Sequence, residues 1–129
     1  MDTLAVKNAA GADATIILGG SYFYDGTTTN LTNGSTFTGT TRDVGVAAGA
    51  LHPFSYYNAY FFADKAGLAT VEISADGSTW RTIASAILSV NVPLTLSVPV
   101  MARYYRHKLL NNGGSTQTAV LTADSFTRN

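Results

Sequence analysis

Cysteine is absent from this 129-residue chain, which excludes a disulfide framework and a thiolate-held metal. Charge is scarce: Asp, Glu, Lys and Arg make up 12% of the residues, against roughly 25% in ordinary soluble proteins. Eight cations balance eight acids, with no basic stripe, so nucleic acid is not expected as a partner. No apolar run approaches the ~20 residues of a membrane span, and no membrane contact is expected. The first residues, "MDTLAVKNAAGADATI", place an acid at position 2 and lack the apolar core of a signal peptide. Synthesis in a cytoplasm is therefore expected.

Chemistry-bearing side chains are equally sparse. The two histidines, His52 and His107, have no partner at ligand spacing, so no metal site is expected. No serine sits in a G-x-S-x-G elbow, and no glycine-rich loop ends in Lys-Ser or Lys-Thr. The acids are scattered along the chain. No enzyme activity and no cofactor are expected.

Helical spacing is missing as well, because Gly, Thr, Ser and Asn interrupt every window. Short β-branched and aromatic runs separated by turn residues take its place. That pattern predicts an all-β fold, an antiparallel β-sandwich. Residues 3–8 and 14–18 read as a small hairpin, and 19–35 as a Gly/Thr/Asn-rich linker around one aromatic knot, Tyr22-Phe23-Tyr24. The chain thus divides into an N-terminal arm over 1–35 and a sandwich over 36–129. Strands are expected in "TFTG", "RDVGV", "FSYYNAYFFA", "LATVEIS", "TWRTIASAIL", "LTLSVPV", "ARYYRHKLL" and "STQTAVLTADSF".

Within the sandwich, "VEISADGSTWRTI" reads as a hairpin. Asp76-Gly77 supplies the left-handed backbone of a tight turn, and Trp80 is expected in the core. One carboxylate there is too few to hold calcium. In "FSYYNAYFF", alternation sets Phe54, Tyr56 and Tyr60 on one face, with Tyr57 and Phe61 on the other. Apolar groups on both faces suggest a strand between two layers. Arg103, Arg106 and Lys108 place basic heads on both faces of one run, read as edge protection or pairing with Asp43, Asp64 or Glu72. Asn30-Leu31-Thr32 and Asn33-Gly34-Ser35 match glycosylation sequons, which matter only in a secretory pathway.

The arm carries the expected partner contact. Leu4, Val6, Ile16 and Ile17 sit on strands too short for a stable core of their own, and would fold against a partner or add to a neighbour's sheet edge. Tyr22, Phe23 and Tyr24 would fill a pocket as interface anchors. The alternative is a carbohydrate-binding module using loop-end aromatic and imidazole rings, with Tyr24, His52 and Phe54 as candidates.

Two resemblances bear on these expectations. The pairing of "SADGSTW" with "ARYYR" resembles the discoidin family. That resemblance implies a jelly-roll, galactose-binding/discoidin-like form of the sandwich. The chain as a whole, from "MDTLAVKNAAGADATI" through "TFTGTTRDVG" and "ATVEISADGSTW" to "PLTLSVPVMARYYRHKLLNNGGSTQTA", is similar to small virion proteins of tailed bacteriophages. This resemblance implies a non-enzymatic structural part of the virion, made in the bacterial host cytoplasm. A head decoration or cement protein is favoured over a tail-fibre or receptor-binding component. Its implied partners are other capsid or tail proteins and further copies of itself, a trimer suiting either role, with a host glycan as the alternative ligand.

Overall fold

The computed structural model describes residues 3–7, 13–17, 20–24, 30–44 and 54–127, the segments before residue 30 by their backbone pairing. Strands β1 (Thr3–Lys7) and β2 (Asp13–Ile17) form an antiparallel ribbon, with Leu4 opposite Ile16 and Val6 opposite Ala14. The remaining strands build two facing sheets. One runs in the order β3 (Gly20–Tyr24), β11 (Val120–Thr127), β6 (Tyr56–Ala63), β9 (Leu94–Pro99). The other runs β4 (Thr36–Thr38), β10 (Tyr104–Asn111), β7 (Gly67–Ser74), β8 (Arg81–Leu88), and β5 (Arg42–Asp43) continues β4 along the same edge of β10. Every ladder is antiparallel.

With β4 and β5 counted as one interrupted strand, eight strands form two four-stranded sheets of jelly-roll order. Successive strands cross from one sheet to the other, except β7 and β8, which pair directly. The all-β sandwich with an N-terminal hairpin is therefore the architecture. Alternation explains the layering. In β10, Tyr105, His107, Leu109 and Asn111 are buried between the sheets, while Tyr104, Arg106, Lys108 and Leu110 are half-buried on the outer face. In β6, Tyr57, Ala59, Phe61 and Ala63 point into the core, and Tyr56 and Tyr60 point out. Full burial of each large apolar side chain contributes about 1.5–3 kcal/mol.

Three details differ from the sequence reading. Residues 20–24, grouped there with the arm, pair with β11 as the outermost strand of its sheet, Tyr22 opposite Ser125 and Tyr24 opposite Ala123. Aromatic residues favour strands, and β11 supplies this run with a ladder partner. Trp80 lies outside the inter-sheet core: it precedes β8 and carries the Arg106 guanidinium 4.1 Å above its ring. The basic side chains of β10 do not straddle the strand. Arg106 and Lys108 share the outer face, and Arg103 precedes the strand.

Candidate functional site

The sandwich closes around a polar cluster contributed by both sheets. Asp124 of β11 is fully buried. Its Oδ2 accepts the Tyr57 hydroxyl at 2.8 Å, and both its oxygens lie 3.1 Å from Nε of Arg42 on the opposing sheet. His107, fully buried on β10, places Nδ1 3.2 Å from the Tyr57 oxygen and 3.5 Å from Asp124 Oδ2. Tyr57 has one hydroxyl proton and gives it to Asp124, so Nδ1 of His107 carries the hydrogen in their contact. Nε2 has no hydrogen-bond partner among the described residues. It faces Gly39, where an added Cβ would stand 2.5 Å from the imidazole Cε1 and 2.7 Å from Nε2. Glycine is required here for close approach of backbone to ring.

Burial pushes the Asp124 carboxyl up, but hydrogen bonds from His107, Arg42 and Tyr57 outweigh it and hold the carboxyl below its ordinary range. A histidine beside a carboxylate is the sort of pair that moves protons in enzymes. Here both side chains have zero exposure, and Phe61 meets the imidazole edge-on at 5.5 Å. What this arrangement can do is lock one sheet onto the other.

Outward-facing charge is also consumed locally. Arg106 Nε donates to Glu72 Oε1 at 2.7 Å, with Lys108 Nζ 4.0 Å from the same oxygen. Arg103 grips both oxygens of Asp43 at 3.0 Å. Asp64, offered by the sequence as a third acidic partner, instead takes the hydroxyl and amide of Thr118. Led by that hydroxyl, these contacts hold its pKa down to about 2.

The β7–β8 turn forms as its residues dictate. Gly77 adopts φ +79°, and Asp76 Oδ1 accepts the Ser78 and Thr79 amides at 2.8 Å and the Ser74 hydroxyl at 2.9 Å. The Thr79 amide leads these in holding the Asp76 pKa down to about 2. Asp76 caps a turn, and a cavity of about 310 Å³ beside it is walled by Ile73, Arg81 and Met101. A smaller groove of about 170 Å³ lies on the outer face between Tyr60, Phe62 and Leu121.

The expected contact residues lie on two elements. Leu4, Val6, Ile16 and Ile17 lie on the β1–β2 ribbon, and Tyr22, Phe23 and Tyr24 on the sheet edge β3; their side chains are outside the described residues. Phe54 stacks on Phe126 at 5.5 Å between ring centres, at the margin of the core. His52 lies outside the described residues. Sequence reasoning missed two features. The Arg42–Asp124–His107 cluster joins residues with no common spacing. The open edge of β8 shows only once the strand order is known.

A family model described as "Uncharacterised protein YqxG N-terminal domain" matches residues 11–127. No curated protein sequence matches significantly. Among solved structures, PBSX exported protein XepA is similar over 98% of this chain and 44% of its own, with 20% identity and a TM-score of 0.72. The present chain thus spans less than half of that protein. PirA is similar over 84% of this chain and 93% of its own, at 10% identity and TM-score 0.51. The Yersinia pseudotuberculosis-derived mitogen is similar over 88% of each chain, at 11% identity and TM-score 0.51. At these identities the similarity is one of fold.

Proposed function

The chain belongs to the YqxG N-terminal domain family, and from that premise we propose that it is a non-enzymatic structural protein of a tailed-phage virion. In this reading it is a head decoration or cement protein, held to the particle through its N-terminal hairpin. One observation carries the reading: a complete jelly roll is preceded by a two-stranded ribbon whose strands, among the described residues, pair only with each other. A two-stranded ribbon is marginally stable in water, and docking on a partner stabilises it. Leu4, Val6, Ile16 and Ile17 make that contact, and Tyr22, Phe23 and Tyr24 extend it from the neighbouring sheet edge. Partners are other virion proteins and further copies of the chain. The description of XepA as an exported protein supports a location outside the cell. The low charge supports a surface covered by neighbours.

The test is electron microscopy of virions carrying the full-length protein or its Leu4→Asp/Ile16→Asp variant. Added density on the head shell that vanishes with the variant is expected. Absence of the wild-type protein from particles overturns the reading, and density on the tail replaces decoration with a tail component.

A further inference from the structure

We propose that the open edge of β8 accepts the β1–β2 hairpin of a second copy of this chain by strand addition. This deepens the anchor reading given above and rests on it.

A sheet edge exposes unpaired backbone donors and acceptors, and proteins that stay monomeric guard such edges with prolines, charges, breaks or short strands. Among the described residues, two of the four outermost positions are guarded. β3 carries no such guard but has five residues, against eight in β8. β4 and β5 are two fragments of three and two residues, the second being the charged pair Arg42-Asp43. β9 is bracketed by Pro93 and Pro99. β8 differs: its eight residues include no proline and no acid, and the single charge, Arg81, stands at its start. Positions 82–102 contain no charged residue at all.

β8 carries one extra residue, Ile83, where Val71 pairs with Ala84 and Glu72 with Thr82; this bulge guards the Arg81 end, and Ala84–Leu88 stays in regular register with Val71–Gly67. That leaves five regular residues on the open side, with small Ala84, Ser85 and Ala86 allowing close approach. Ile87 at the far end is 78% exposed, and Val90 and Val92 beyond it are 51% and 53% exposed. The hairpin strands are also five residues each, and both outer edges of that ribbon are open in the sheet order. Five extended residues span about 17 Å on either side of the junction. Addition to β8 would give the ribbon the third strand it needs and cover the longer of the two unguarded edges.

Donor and acceptor are different surfaces of one chain, so the contact is heterologous. Such contacts propagate head to tail into a ring or an open array.

The experiment is sedimentation velocity over a concentration series with the full-length protein and two variants. Ser85→Lys/Ile87→Lys guards the edge at two exposed positions and keeps the hairpin. Ala5→Pro/Thr15→Pro breaks the hairpin and keeps the edge. Circular dichroism of each variant verifies the sandwich. Wild type is expected to assemble, each variant alone to sediment as a monomer, and an equimolar mixture to form a dimer that grows no further. Wild-type-like assembly of the edge variant overturns the proposal, as does a monomeric wild type. If the edge variant assembles while the Leu4→Asp/Ile16→Asp variant still fails to join virions, the edge assignment fails and the anchor reading stands.

Discussion

Arg42 and Asp124 face each other across the sandwich, the guanidinium Nε equidistant, at 3.1 Å, from both carboxylate oxygens. They are 82 positions apart in sequence and come from different sheets. Their union with Tyr57 and His107 is the polar bolt of the fold. Breaking a buried pair from one side costs more than removing both, because the remaining charge keeps its desolvation penalty without its partner.

Arg42→Ala is therefore expected to destabilise the protein by about 3–5 kcal/mol. The double replacement Arg42→Met/Asp124→Leu should cost distinctly less. Urea unfolding of both variants at neutral pH measures the difference; equal losses would show that the charge left behind is not the source of the cost.

Acid should weaken the fold in a defined window. Asp64 and Asp76 ionise near 2 in the folded chain against an ordinary 3.8, and Asp124 is also shifted down. Because the folded values are depressed, the unfolded chain binds these protons first as pH falls. The stabilisation is complete above about pH 4 and drains away between there and pH 2. Melting temperature measured from pH 6 to pH 2 should fall most steeply in that interval, and Asp76→Asn should flatten the slope. An unchanged slope would assign the acid sensitivity to other carboxyls.

Gly39→Ala is expected to be among the most damaging conservative changes. The new methyl would stand 2.5 Å from a ring atom of His107, and the ring has zero exposure. Overpacking of this kind costs about 1–3 kcal/mol. Gly114→Ala adds a methyl to open space at φ +87°, so it reports backbone strain alone. Thermal unfolding of the two variants separates overpacking from strain; equal losses would mean that the imidazole moves aside.

Much of this fold is legible because local chemistry is specific. Asp76-Gly77 can hardly be anything but a turn, and alternation through "YYRHKLL" assigns inside and outside correctly for Tyr105, His107 and Leu109. Arg103–Asp43 and Arg106–Glu72 follow from the wish of exposed cations for nearby acids. Failures came where partners are distant. Strand β3 hides among glycines and threonines, and only Ser125 and its neighbours across the ladder make it a strand. The burial of Asp124 could not be read from "TADSF", since the cation that permits it lies on the other sheet. The open edge of β8 is a property of strand order, which no single segment encodes. The pairing of the two leading strands is as the sequence reads.

The alternation of successive strands between sheets has a kinetic corollary. Past the leading ribbon, β7 and β8 are the one consecutive pair among the described residues that can zip together as a local event. Every other ladder waits for remote stretches of chain to meet, which places the molecule among slow-maturing topologies. In chain order the β4-β10-β7-β8 sheet has all its strands once β10 is made, whereas the other sheet waits for β11, which joins β3 to β6.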